Sequence, residues 1–233
     1  MSFNNLGLAP SLIEALSSLN YKQPTPIQKA AIPAILMGKD LLGIAKTGSG
    51  KTASFVLPIV MKLQIDRALK NRHVKVLVLV PTRELAMQVN AVFQEFGKAL
   101  PKHIKSMAVF GGVSINPQMI GLQNVHVLTA TPGRLLELVA SKAVHLSDVK
   151  TLVLDEADKM LNTSFQEELK QILELLPSRR QNLLFSATLS KEVTEVKQIL
   201  LNKPKVIKSE EKSENTDTGI EQINQSAYLV AEE

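Results

Sequence analysis

The chain of 233 residues contains no cysteine, so it has no disulfide framework and no thiolate metal site. Its four histidines, His73, His103, His126 and His145, are dispersed and show no ligand spacing. No apolar run approaches the roughly 18 residues of a membrane span. The first ten residues, MSFNNLGLAP, lack the basic and apolar blocks of a secretory signal. Together these absences lead to the expectation of a cytoplasmic protein with no membrane partner. Acidic charge is scarce over most of the chain and gathered at its end. Of 27 basic and 22 acidic residues, residues 208–233 hold 2 and 7, which leaves 25 and 15 before them, a net of +10. A basic body suits a polyanionic partner, and equally an ordinary solvated surface. Hydrophobic residues make up 45% of the chain, enough for one large α/β domain with a tail.

The stretch around which the rest is organised is AKTGSGKT: Ala45, Lys46, Thr47, Gly48, Ser49, Gly50, Lys51 and Thr52. Leu41–Ala45 has strand character, and 53–63 is apolar enough for a buried helix, with Pro58 as a potential bend. A glycine-containing loop between a strand and a helix is the setting of a phosphate-binding loop. Gly48 and Gly50 permit positive φ and close approach of an anion. Backbone N–H groups and the helix N-terminus then face phosphate oxygens. Lys51 supplies a point charge for the outer phosphates, and the Thr52 hydroxyl is a Mg²⁺ ligand. The general pattern is G-x-x-x-x-G-K-[ST], and Ala45 stands where its first glycine would be.

Periodicity predicts an amphipathic helix over 8–19. Thr25, Pro26 and Gln28 form an N-cap, an N1 proline and a capping-box glutamine for a helix over 26–37, ended by Gly38. Beyond the phosphate loop, strands are predicted at 74–80, 105–110, 125–129, 151–154 and 182–186. Helices are predicted at 83–100, 114–122, 132–140, 165–176 and 191–201. This alternation implies a mostly parallel sheet with helices on both faces, and functional residues at the carboxyl ends of its strands. Residues 208–219, KSEEKSENTDTG, read as a polar linker, and 220–230 regain β character.

Leu152–Asp158 reads LVLDEAD. Two acids at a strand end downstream of a phosphate loop suit hydrolysis of a Mg²⁺-bound nucleoside triphosphate. Asp155 would hold the metal, and Glu156 would orient the attacking water or take its proton. Acids in this position also favour a helix N-terminus. The tetrad Asp155-Glu156-Ala157-Asp158 spells DEAD, and the chain resembles the first RecA-like domain of DEAD-box ATP-dependent RNA helicases from Phe3 to about Ile207. The resemblance rests on YKQPTPIQ (21–28), AKTGSGKT (45–52), PTREL (81–85), Gly111-Gly112, TPGR (131–134), DEAD (155–158) and SAT (186–188), in the family's order. VFGGVSINPQ (109–118) further resembles the bacterial RhlE-type branch.

What the resemblance implies is specific. The fold is a RecA-like P-loop α/β domain over 1–207, with an adenine-recognition segment at 3–28. Residues 208–233 are an acidic linker and the start of a second RecA-like domain, a partner in cis that carries the arginine finger missing here. ATP and Mg²⁺ are the cofactors, RNA is the partner, and the protein is a monomer. Gln28 reads adenine, with Phe3 and Tyr21 near the base; Gln28 also fits helix capping, and lone aromatics fit a core. Pro81, Thr82, Arg83, Gly112, Thr131, Gly133 and Arg134 contact RNA, and by themselves also fit ordinary helix capping. Ser186 and Thr188, with hydroxyls able to bond Asp158, couple hydrolysis to strand separation. Lys51, Asp155 and Glu156 are the catalytic residues. Asn162-Thr163-Ser164-Phe165 departs from the Asp-Met-Gly-Phe-like stretch that often follows DEAD. A non-catalytic ATP- and RNA-binding scaffold and a DNA translocase of the same superfamily are the rival expectations.

Overall fold

A computed structural model describes residues 2–65, 70–161 and 165–208. The expected departure at 162–164, the linker over 209–219 and the β character of 220–230 lie outside the described residues.

Among the described residues seven strands form one sheet: β1 (Leu41–Ile44), β2 (Val76–Leu79), β3 (Ser106–Val109), β4 (Val127–Ala130), β5 (Thr151–Leu154), β6 (Gln181–Ser186) and β7 (Lys205–Lys208). Their spatial order is β3-β4-β2-β5-β6-β1-β7, and every pairing is parallel. The helices are α1 (Pro10–Ser18), α2 (Pro26–Leu36), α3 (Lys51–Gln64), α4 (Arg83–Lys98), α5 (Asn116–Gly121), α6 (Pro132–Ala140), α7 (Ala157–Leu161), α8 (Gln166–Glu174) and α9 (Lys191–Leu200), preceded by a 3₁₀ turn at Phe3–Asn5.

Strand side chains alternate between two hydrophobic cores, as the period of two requires. Leu41, Val76, Val78, Val127, Val153, Leu183 and Phe185 face one core, which α1 to α4 cover. Leu42, Leu77, Leu79, Leu128, Leu152, Leu154 and Leu184 face the other, which α6 to α9 cover. Both faces are therefore buried, which explains why these strands read as near-continuous apolar runs. In the first core Phe55 sits 6.2 Å from Phe93 and 5.2 Å from Phe185, joining α3, α4 and β6. Truncating one of these rings to alanine costs about 3–5 kcal/mol.

The six predicted strands are all present, and β7 is an addition. It pairs with β1 at the sheet edge and buries only Ile207, so its four residues carry almost no apolar signal. Asp40 anchors the approach to it: its carboxylate accepts from Asn182 N–H and Asn202 N–H, each at 2.8 Å, and its carbonyl accepts from Lys205 N–H at 2.8 Å. Lys208, the first residue of the expected linker, closes this strand. The helix predicted over 53–63 begins two residues earlier, so Lys51 and Thr52 lie in its first turn. Among the described residues no helix is long and apolar enough to cross a membrane.

Candidate functional site

The phosphate loop joins β1 to α3, and the DEAD tetrad follows β5. In sheet order these strands are separated only by β6, so their carboxyl ends converge. A cleft of about 300 Å³ opens there, lined by Tyr21, Thr47, Gly48, Gly50, Lys51, Thr52 and Ala53 together with Asp155 and Glu156. Leu85, Gln88 and Val92 of α4 line it too. These three were not identified from the sequence, although spacings of three and four place them on one helix face.

Lys51, Gln28 and Asp155 around the cleft are buried and already engaged. Lys51, 7% exposed, donates from Nζ to Ala45 O at 2.7 Å. Gly50 has φ 89°, and a Cβ there would stand 2.5 Å from Gln28 Nε2. Glycine is thus favoured there by conformation, and a side chain would displace the Gln28 amide. Gln28 is 2% exposed. Its Oε1 accepts from Thr25 N–H at 3.0 Å, the reciprocal bond of the predicted capping box, and its Nε2 donates to Gly50 O at 3.2 Å. Gln28 therefore lies behind the loop rather than along the cleft wall. Phe3 is buried in the first core, while Tyr21 reaches the cleft with its ring 5.8 Å from Phe96.

Asp155 immediately follows β5 and is 2% exposed. Burial pushes its carboxyl up to about 6, opposed by the Lys51 charge and by a hydrogen bond from Glu156 N–H at 3.0 Å. A carboxylate this short of compensating positive charge fits a divalent cation. Ser49 Oγ is buried without a partner, as a loop that wraps an anion would leave it. Among the described residues no three His, Cys, Asp or Glu side chains cluster as a metal site. A cation held by Thr52 and Asp155 would complete its shell with phosphate oxygens and water, as Mg²⁺ commonly does. Glu156 has φ 52°, a conformation costly for a residue with a Cβ, and its Oε2 accepts from Lys159 Nζ at 2.9 Å.

Asp158 begins the link to β6. Thr188 Oγ1 donates to its Oδ2 at 3.1 Å, and Ser186 Oγ donates to Thr188 O at 2.7 Å. Burial works to raise the Asp158 carboxyl, but hydrogen bonding from 186–188, the Thr188 hydroxyl included, outweighs it and holds it below its ordinary value. Of the two hydroxyls expected to bond the last DEAD acid, Thr188 does so, while Ser186 turns to the Thr188 carbonyl.

The residues expected to meet RNA gather elsewhere, at the carboxyl ends of β2, β3 and β4. Pro81 is half-buried and Thr82 is exposed at the N-cap of α4, its hydroxyl accepting from Leu85 N–H at 3.2 Å. Arg83 is exposed and lies over the Phe110 ring at 4.9 Å. Gly112 has φ 78° and is exposed, with open space where a Cβ would be. Thr131 is the N-cap of α6, although its hydroxyl makes no cap bond, and Gly133 is half-buried beside Glu168. Arg134 turns inward at 7% exposure, with Nε donating to Glu137 Oε2 at 2.9 Å and Nη2 to Val113 O at 2.8 Å. Most of its guanidinium serves the protein, and only Nη1 lacks a partner.

Comparison with known proteins agrees with this arrangement. A family model described as "DEAD/DEAH box helicase" matches residues 25–196. The chain is 40% identical over 218 residues to an ATP-dependent RNA helicase CshA of Limosilactobacillus reuteri, covering 93% of this chain and 43% of that protein. It is 42% identical over 238 residues to an ATP-dependent rRNA helicase rrp3 of Botryotinia fuckeliana, covering 98% and 48%. A crystal structure of a DEAD box protein from the hyperthermophile Methanococcus jannaschii superposes with TM-score 0.82 at 34% identity, over 90% of this chain and 56% of that one. The chain thus spans about half the length of the curated relatives it matches.

Proposed function

This chain belongs to the DEAD/DEAH box helicase family, and from that membership we propose that it is the nucleotide-binding, RNA-facing domain of an ATP-dependent RNA helicase. The observation that carries the reading is the single cleft shared by Lys51, Thr52, Asp155 and Glu156. Lys51 exchanges its bond to the Ala45 carbonyl for the outer phosphate oxygens. The loop N–H groups and the α3 N-terminus hold the remaining phosphate charge. Thr52 and Asp155 hold Mg²⁺, which when bound neutralises phosphate charge. Glu156 orients the attacking water and accepts its proton. Gln28 reads the adenine edge, for which its Nε2 must leave Gly50 O, so base recognition and loop shape are tied to one side chain. Asp158, Ser186 and Thr188 carry the state of the cleft to β6. RNA is held by backbone contacts at Pro81–Arg83, Gly111–Gly112 and Thr131–Gly133, which read shape rather than base sequence.

A second RecA-like domain in cis completes the machine, with residues 1–207 as the first domain and 208–233 leading onward. The same reading takes the protein as a cytoplasmic monomer. An arginine finger contributes about 10³–10⁵ in rate to phosphoryl transfer, and none is identified in this chain. Residues 1–233 should therefore bind adenine nucleotide yet hydrolyse ATP slowly, with little RNA stimulation and no unwinding. Joining the second domain should restore all three. Steady-state ATPase with RNA, with DNA and with neither, on both chains, is the test. Full RNA-stimulated turnover by residues 1–233 alone, in a preparation free of contaminating ATPase, would overturn it.

A further inference from the structure

Gln118 is the third residue of the short helix α5 and is 7% exposed. Its Oε1 accepts from Phe110 N–H at 3.0 Å, and its Nε2 donates to Phe110 O at 3.2 Å and to Ser114 O at 3.4 Å. Both amide hydrogens and one acceptor position are in use. Phe110 is the first residue past β3, which among the described residues is an edge strand paired with β4 alone. Just past an edge, a backbone N–H and C=O have no strand partner. The carboxamide of Gln118 supplies one to both groups of Phe110.

That arrangement reaches each of the segments expected to meet RNA. The Phe110 ring, fixed through its backbone, lies beneath the Arg83 guanidinium at 4.9 Å. The loop Gly111–Ser114 is tied at both ends to one amide, while Val113 O between them accepts from Arg134 Nη2 at 2.8 Å. Arg134 in turn belongs to α6, whose N-cap Thr131 donates its N–H to Val109 O at 3.1 Å. The segment so held is itself exposed: Gly111, Gly112, Val113 and Ser114 all face solvent. The bonds therefore fix the shape of a surface rather than complete a core. Backbone groups that must meet phosphates bind best when their geometry is set in advance.

We propose that Gln118 is a positioning residue for RNA, holding Phe110 and the Gly111–Gly112 loop in the shape that RNA requires. The proposal rests on the reading of this surface as the RNA-binding face.

The test uses Gln118→Met, which keeps side-chain length and helix propensity and removes the three hydrogen bonds. Affinity of the 233-residue chain for a fluorescein-labelled oligouridylate is read by anisotropy, beside Mg·ADP affinity and melting temperature. RNA affinity should fall about tenfold while Mg·ADP affinity stays unchanged. Because Gln118 acts on Arg83 through Phe110, Gln118→Met with Arg83→Ala should weaken RNA by less than the product of the single changes. Independently of any variant, the Phe110 amide of the RNA-free chain should exchange its hydrogen much more slowly than those of Gly111 and Gly112. Wild-type RNA affinity in Gln118→Met, with Arg83→Ala weakened, overturns this proposal alone. No RNA binding by the wild type, or no effect of Arg83→Ala, overturns the RNA face itself and this proposal with it. Parallel loss of RNA and Mg·ADP affinity, or a fast-exchanging Phe110 amide, makes Gln118 an ordinary fold residue and also overturns it.

Discussion

The carboxyl edge of the sheet divides into two regions of opposite construction. Over β5, β6 and β1 the polar groups are sunk: Lys51, Asp155 and Gln28 are 7%, 2% and 2% exposed, and each bonds within the protein. Over β3, β4 and β2, Thr82, Arg83 and Gly112 lie on the outside, while buried Gln118 and Arg134 hold the neighbouring loop from behind. On the proposed function, the first region would enclose a compact, highly charged ligand and exchange internal bonds for bonds to it. The second would present a preformed backbone surface to a long polyanion. An enclosed site can discriminate a base, because unpaired buried groups penalise the wrong one. An open shelf of main-chain N–H groups and one arginine reads charge and spacing.

The comparison can be broken first at Glu156. In a protein carrying the second domain, Glu156→Gln should lower RNA-stimulated turnover by about 10²–10⁴-fold while leaving Mg·ATP binding intact. An unchanged rate would remove its assigned role. Next comes Lys51→Ala, which should weaken Mg·ADP by about 10–100-fold and leave RNA affinity without nucleotide unchanged, as calorimetry and anisotropy would show.

Gln28 sharpens the contrast within the enclosed region. Gln28→Ala should weaken ATP and ADP by about 1–3 kcal/mol and GTP far less, if the side chain moves from Gly50 O to the base. Equal weakening of all nucleotides with a lowered melting temperature would confine Gln28 to its cap and loop bonds.

The smallest effect concerns stability. The Asp155 carboxyl has its ordinary value of 3.8 when unfolded and is raised to about 6 when folded, so the folded chain holds the proton more tightly. Protonation there stabilises the fold fully below 3.8, and the benefit is lost as pH rises to about 6. Asp155→Asn should therefore raise the melting temperature of the nucleotide-free chain by a few degrees at pH 7.5, with the gain vanishing toward pH 4. The same change should weaken Mg²⁺-dependent nucleotide binding. A lowered melting temperature at pH 7.5 would show that burial of this charge is not costly.

Much of this was legible in the sequence where the information is local. The phosphate loop announces itself by glycine spacing, and the Thr25–Gln28 cap by residues three apart. The alternating apolar runs give the parallel sheet because both of its faces are covered. What was not legible depends on which strands become neighbours. The bond from Gln28 Nε2 to Gly50 O joins residues 22 apart in the chain, and Arg134 reaches Val113 across 21. Gln118 stood at the end of VFGGVSINPQ but showed no role of its own, because a single glutamine on a short helix looks like surface until the β3 edge is seen beside it. β7 escaped because an edge strand that buries one side chain leaves almost no periodicity.

The central claim is that nucleotide and RNA are bound by these two separate regions of one sheet edge. It is tested most directly by measuring both affinities, Mg·ADP by calorimetry and single-stranded RNA by anisotropy, on Lys51→Ala and Arg83→Ala side by side. The account predicts a crossed pattern, with Lys51→Ala losing nucleotide but not RNA and Arg83→Ala losing RNA but not nucleotide. Loss of both ligands in either variant, with the melting temperature unchanged, would contradict it.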